Sequence, residues 1–511
     1  MKYRAIIFFL LVSVLCMNLS CKKFLNVSPV GAMSGNNFWK TKQDVEQYAN
    51  GIYTLLRSYT CGSGNSLLAT ADYRCGSWVP YVSNGNEFVG LLRGNKMKNL
   101  IASSTYSWWS EWGFNNLDQW MQLYRVVSGA NNLIANIPKS DIADLTDADR
   151  KLYHAEAVFI RSLTYFIMVR HWGDVPYISD INDVGKNGRT NQLELFNKCI
   201  GDLQGVLGDL PWTYADASKK GSRAMKGGAL ILMMEMYMWM AGFDDVNAMA
   251  YYQKVADISN TLIGEGGNYY KLLPYDDYQV IFNGHTDESL FEVSQSSKPG
   301  ELFGFYATVG ALTLMTPYKP SVSITPLYYD PYYLHQLYDV DYNGSNTDAR
   351  ASKWFENMFN TDGTFIFKKF ANFNGGVSGN PTDAKILFRY VDAYLLRAEA
   401  LEKLGDYPGA LEAINVVRKR AGATEFEGGK NVTNLAENIT LEDAIWWERE
   451  RELMGESTFF YDLVRTKKIM SSLYTVNTIN YEDFMNGAWT YPIDAAISTV
   501  NPNISSNPYW N

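Results

Sequence analysis

Five cysteines and four histidines are all that 511 residues carry. After Cys21 only Cys61, Cys75 and Cys199 remain, with no pair at ligand spacing. That excludes a disulfide framework and a structural zinc site. Cys61 and Cys75 leave two readings open: a bridge across a Gly-rich loop, or two free thiols. His154, His171, His285 and His335 are scattered, and His154 and His171 sit on or beside a packed helix. No nucleophile-elbow, zincin or phosphate-loop pattern occurs. No catalytic residue, metal ligand or cofactor can therefore be named. Excess positive charge is also missing: 45 Lys and Arg face 54 Asp and Glu, for a net charge of -9. Without a basic block, a nucleic-acid partner is disfavoured. No stretch after the N-terminus approaches the roughly 20 apolar residues that a spanning helix needs.

What is present begins at the N-terminus. Lys2 and Arg4 precede an apolar run from Ala5 to Met17, broken only by Ser13. The run is too short to span a bilayer and reads as a secretory signal. The small Ser20 is followed by Cys21, which resembles a bacterial lipoprotein signal, with residues 1–20 removed and Cys21 lipidated. Asn18 stands where such signals usually carry an aliphatic residue. The plainer alternative is an ordinary secretory signal with Cys21 near the cut. Multiple acyl chains, at roughly 0.8 kcal/mol per buried CH2, would anchor the protein stably.

Aromatics are plentiful, at 14%, with 35 Tyr and 14 Trp. Most are expected in helix interfaces, and a minority on a face that grips half-polar ligands. Three segments read as helical hairpins. From Ala155, Phe159, Leu163, Phe166, Ile167 and Arg170 recur at helical spacing until Gly173 and Pro176 stop the helix. From Gly228 the helix is apolar nearly all round, so it is buried. Tyr390 to Gly422 forms a third hairpin whose Gly405-Asp406-Tyr407-Pro408 turn echoes the first. Alanines at the crossing points give a tetratricopeptide-like pattern. Further helix pairs are expected at Asp44 to Arg57, Leu117 to Ile137 and Ala148 to Trp172. Two long irregular segments, Cys61 to Trp112 and Phe282 to Gly379, are too aromatic for disorder and read as ordered loops on a helical scaffold.

Six motifs in order resemble the SusD/RagB family of outer-membrane nutrient-binding lipoproteins of Bacteroidetes. They are Cys21 with Phe24-Leu25-Asn26 and Pro29; Trp120, Tyr124 and Ala130-Asn131; AEAVFIRSLTYFIMVRHWGDVPYI; FRYVDAYLLRAEAL; WWERERELMGESTFFYDLVRTKK; and YPIDAAISTVNPNISSNPYW. Ser457, Phe459 and Asp494 depart from the family pattern. The resemblance implies a mainly α fold, with tetratricopeptide-like helix pairs supporting long irregular loops. It implies one compact unit with an N-terminal region 21–225 and a C-terminal region 226–511. It also implies a SusC-like TonB-dependent transporter as partner, an oligosaccharide or polysaccharide ligand, and an outward-facing outer-membrane location through the lipid anchor. A peptide-capturing member of the family is the second reading, and a glycoside hydrolase a more distant one.

The Glu448-Arg449-Glu450-Arg451-Glu452 run could pass for paired catalytic carboxylates. Glu448 and Glu452 share one side of a helix, but the interleaved arginines make it a structural ion network. The ligand face is expected in the irregular segments. A sugar stacks its C–H face on an aromatic ring and needs polar partners for its hydroxyls. The first segment offers Trp78, Tyr81, Trp108, Trp109 and Trp112, with Asn84, Asn86, Glu87 and Arg93 as polar neighbours. The second offers Tyr306, Tyr318 and Tyr328. Trp108 and Trp109 cannot both face one side of a regular element.

Overall fold

A computed structural model describes residues 39–62, 65–81, 87–102, 117–139, 141–295, 301–303, 307–338, 347–372, 383–427 and 439–511. The long helices are α1 (Lys42–Thr60), α2 (Met121–Asn136), α3 (Asp147–Trp172), α4 (Gln192–Val206), α5 (Lys226–Phe243), α6 (Ala248–Gly264), α7 (Tyr390–Lys403), α8 (Tyr407–Arg420) and α9 (Leu441–Leu453). Each packs on the next from α1 to α8, and α9 covers α7 and α8. This is the tetratricopeptide-like stack that the hairpins imply.

Local chemistry sets the helix limits. Thr146 caps α3: its hydroxyl accepts from Asp149 N, while the Asp149 carboxylate accepts from Thr146 N at 3.1 Å, a reciprocal capping box. Gly173 ends α3 at φ 73. Its ψ of -132 lies outside the left-handed helical region expected of the turn. Gly405, at φ 81, follows the Leu404 cap of α7 in the turn to α8. A side chain at either site would meet the steric penalty of positive φ. Helix α5 is buried from Gly227 to Ala241, as its all-round apolar surface requires. Among the described residues, no helix is long and apolar enough to cross a membrane.

The strands are short and pair in twos. β1 (Trp78–Pro80) pairs with β3 (Leu327–Tyr329), β2 (Ser289–Val293) with β6 (Lys385–Arg389), and β4 (Phe355–Glu356) with β5 (Ile366–Phe367), all antiparallel. One buried cluster runs through the molecule from Val45 to Ile504. The ribbons are laid on the helical stack by that shared core rather than by sheet extension. Cys61, Cys75 and Cys199 are buried free thiols, which settles the open reading against a Cys61–Cys75 bridge. Burial holds the Cys61 thiol up at about 11, so it is protonated and unreactive at neutral pH.

A buried ion network ties the ribbons to the helices. Arg389 sits where β6 meets α7. Its Nε donates to Glu456 Oε2 at 2.7 Å, and Nη1 to Glu288 Oε1 at 2.8 Å and Glu452 Oε1 at 2.7 Å. Arg350 Nη1 meets Glu448 Oε1 at 2.8 Å and Glu452 Oε2 at 3.0 Å, so these two glutamates do share a side of α9. Burial alone would raise the Glu448 carboxyl, but Arg350, Arg418 and Arg451 hold it down at about 2. Arg449 faces the other way, to Asp462 at 2.7 Å, Glu235 at 3.0 Å and Asp392. The alternating run is thus a cross-link between elements. Paired carboxylates acting on a substrate would face open space, and these are all buried.

Candidate functional site

The β1–β3 ribbon sorts the predicted aromatics by strand alternation. Trp78 and Tyr329 are opposite each other and point inward. Their rings stack with centroids 3.5 Å apart, and Phe367 stands edge-on to Trp78 at 6.2 Å. Trp78 has 0% exposure. It is therefore a core residue, and its assignment to the ligand face is corrected: a ring covered on its faces has none to offer a sugar. Tyr328 lies opposite Val79 and points the other way, half-buried.

Two charged groups stand beside Tyr328. The short helix Glu87–Arg93 packs on β1 and brings Arg93 to its last turn. Arg93 Nη2 lies 3.7 Å from Asp330 Oδ2, an ion pair rather than a direct hydrogen bond. Burial raises the Tyr328 hydroxyl, Asp330 raises it further, and Arg93 opposes them. The three groups thus share one electrostatic environment. Asp330 Oδ1 also accepts from Tyr332 N at 2.9 Å, capping the short helix Pro331–Leu337. This turn leaves the Tyr332 ring 70% exposed. Sequence reasoning missed Asp330 and Tyr332. The Asp-Pro pair that announces a helix start was the available signal.

Tyr81 follows β1 directly. Its N–H donates to Pro326 O at 3.0 Å, and it is half-buried. Tyr318 is also half-buried, with its hydroxyl on Glu356 and Lys368 Nζ 5.9 Å from its ring centre. Glu87 opens the short helix, but its side chain lies outside the description. Asn84, Asn86, Trp108, Trp109, Trp112 and Tyr306 lie outside the described residues. The structure thus brings Tyr328 and Arg93 together and adds Asp330 and Tyr332.

Among the described residues, no group of three His, Cys, Asp or Glu stands where it could hold a metal. His171 is buried, with Nδ1 2.7 Å from Ile167 O. Burial, which disfavours the charged ring, drops its pKa to about 3. His335 stacks on Phe359 with centroids 3.9 Å apart. Each is accounted for by packing. What the Tyr328 face offers is a half-buried ring with a cationic donor and an anionic acceptor beside it. That set can hold a polyhydroxylated ring through stacking and hydrogen bonds.

Comparisons with known proteins bear on the chain's family and fold. The family model described as "SusD family" matches residues 327–510, and one described as "Starch-binding associating with outer membrane" matches residues 80–231. The chain is similar to a crystal structure of a SusD homolog from Bacteroides thetaiotaomicron. The two are 32% identical, over 93% of this chain and 100% of that one, with a TM-score of 0.83. A SusD-like protein of Formosa agariphila is 25% identical, over 91% of this chain and 90% of the relative. A solved laminarin-binding SusD-like protein shares the fold at 20% identity, over 92% of this chain and 100% of that one, with a TM-score of 0.68.

Proposed function

The chain belongs to the SusD family, and from that premise we propose that it is a cell-surface glycan-binding lipoprotein of a nutrient-uptake complex. In this reading Cys21 carries the lipid that holds the protein to the outer membrane, facing outward. The protein captures oligosaccharides from a polymer and passes them to a SusC-like TonB-dependent transporter. It acts by binding, without turnover and without a cofactor.

The observation that carries the reading is the half-buried Tyr328 ring, set beside Arg93 and Asp330 on one face. A hexose has a C–H face for the ring and hydroxyls that both donate and accept. Its hydroxyls fit a guanidinium and a carboxylate held apart at 3.7 Å. Glycan binding at the level of the family is further supported by the laminarin-binding neighbour. Trp108, Trp109, Trp112, Tyr306, Asn84, Asn86, Glu87, Tyr81 and Tyr318 remain candidates for the rest of the platform.

The test is calorimetry of the mature protein against a panel of neutral and acidic polysaccharides and against peptides. Saturable binding to a glycan, weakened by Tyr328→Ala, is expected. Binding to peptides alone would transfer the reading to a peptide-capturing member of the family. Release of reducing ends from a polysaccharide by the pure protein would contradict the non-catalytic role.

A further inference from the structure

A cavity of about 380 Å3 shares no lining residue with the Tyr328 face. That volume falls within the roughly 300–1,000 Å3 usual for small-molecule sites. One side of α1 walls it, where Asn50, Tyr53, Thr54 and Arg57 recur at helical spacing. The turn at Ser222 and Arg223 and the end of β2 with Ser294 complete it, and Leu56, Phe291 and Val293 add buried apolar lining.

The charges of the lining are unevenly satisfied. Arg223 is buried and paired: its Nε donates to Glu156 Oε2 at 2.7 Å, and its Nη1 to Glu46 Oε1 at 3.0 Å and Asn50 Oδ1 at 2.8 Å. Glu292 is buried and accepts from His285 N at 3.0 Å, Ser289 Oγ at 2.6 Å and Ser294 Oγ at 3.1 Å. Glu301 also lines the cavity and is already engaged. Arg57 differs from all three. It is half-buried, and none of the described residues hydrogen-bonds or ion-pairs with its guanidinium. A half-buried charge without a counter-charge is costly, and the guanidinium fork matches the two oxygens of a carboxylate.

The neighbouring groups suit hydroxyls. Arg223 holds Asn50 Oδ1, which leaves Asn50 Nδ2 as a donor. Thr54 Oγ1 donates to Asn50 O at 2.9 Å, and Ser222 Oγ to Ser218 O at 2.8 Å, so both oxygens keep lone pairs for an incoming proton. Asn50 and Arg57 stand two turns apart, about 10 Å along α1 at 1.5 Å per residue. A pyranose with a carboxylate at one end and hydroxyls at the other has a comparable span. His285 stands at φ 59, a conformation rare outside glycine and often kept where a ligand is held. Its Nδ1 donates to Lys220 O at 2.8 Å, and its Nε2 lies 3.5 Å from Ser294 Oγ. That distance is too long for a strong bond, so Nε2 is left for the ligand.

We propose that this cavity is a second saccharide subsite, selective for a sugar that carries a carboxylate, such as a hexuronate. Arg57 pairs with the carboxylate, while Asn50, Thr54, Ser222 and His285 Nε2 bond the ring hydroxyls. The inference rests on the glycan reading for its ligand class and adds an acidic residue to the oligosaccharide that is captured.

The test is titration of the mature protein with D-glucuronate, D-glucose and acetate, followed by saturation-transfer NMR, with a melting curve for each variant. Glucuronate should bind at least tenfold tighter than glucose or acetate. Arg57→Gln should abolish that preference, and Arg57→Lys should keep part of it, because it retains the charge and loses the fork. Asn50→Asp, which keeps an acceptor for Arg223 and adds a like charge, should weaken glucuronate and spare glucose. Tyr328→Ala and Arg125→Gln should change nothing here. If Arg57→Gln melts early, Arg57→Lys and Asn50→Asp decide the matter. Glucuronate bound no tighter than glucose, or bound equally by folded Arg57 and Asn50 variants, overturns the proposal. Acetate bound as tightly as glucuronate overturns it too and leaves a bare anion site. A neutral glycan bound at the Tyr328 face with no glucuronate bound sinks this inference alone; a wild type that binds neither sinks the glycan reading with it.

Discussion

Replacing Arg389 by methionine removes the hub of the buried ion network while keeping most of the side-chain length. The guanidinium donates to Glu288, to both carboxylate oxygens of Glu456, and to a carboxylate oxygen and the main-chain carbonyl of Glu452. Each carboxylate keeps at least one other cation. Glu288 keeps Arg420 at 2.7 Å, Glu452 keeps Arg350 at 3.0 Å, and Glu456 keeps Lys369 at 2.6 Å. The loss is therefore that of one broken buried pair, about 3–5 kcal/mol, rather than three such losses added together. Even so, it is a large share of a typical folding stability of about 5–15 kcal/mol. The assay is a urea titration of the two proteins at pH 7, compared at the extrapolated zero of denaturant. Arg389→Lys should fall between them, because it keeps the charge and loses the fork. Asp276→Asn breaks the exposed pair with Lys353 and should leave the midpoint where it was. A loss below about 1 kcal/mol for Arg389→Met would refute the claim that this network fastens the ribbons to the helices.

Trp78→Ala should cost about 3–5 kcal/mol of stability, the range for a buried aromatic cut to alanine; a normal melting curve would return Trp78 to the ligand face. Tyr328→Ala should weaken glycan binding by about 1–3 kcal/mol and leave melting unchanged, so early melting would make it a packing residue instead. Glu448 has a folded pKa of about 2, against an ordinary 4.5, so its stabilising contribution is present above the higher value and lost as pH falls through the lower one. Chemical stability should therefore decline between about pH 5 and pH 2, and Glu448→Gln should flatten that decline; parallel curves would be evidence against the arginine cage. Cys21→Ala should release the protein from the membrane fraction, and palmitate labelling that persists in the variant would place the lipid elsewhere.

The helical scaffold was legible because its signals are local. Helix α3 announces itself by an apolar face and a Gly173 stop, and the structure spans Asp147–Trp172 against an expected Ala148 to Trp172. The α7–α8 pair was equally plain. The alternation of Glu and Arg on α9 was readable as a network, since Glu448 and Glu452 recur one helical turn apart. Their partners were not, because Arg350 and Arg389 arrive from distant ribbons. Trp78 was misplaced for the same reason. Its inward direction is set by register with Tyr329, some 250 residues away, and a three-residue strand gives no period to read. The same register turns Tyr328 outward and brings it to Arg93. That pairing is long-range, and nothing local in either segment encodes it.

The most direct test of the account is isothermal calorimetry of the mature wild-type protein, Tyr328→Ala and Arg93→Gln against the polysaccharide that binds best in a panel screen, with a melting curve for each protein. Saturable binding by the wild type is expected. Each variant should bind at least fivefold more weakly, with unchanged melting. A wild type that binds no glycan in the panel, or two variants that bind as tightly as the wild type, would contradict it.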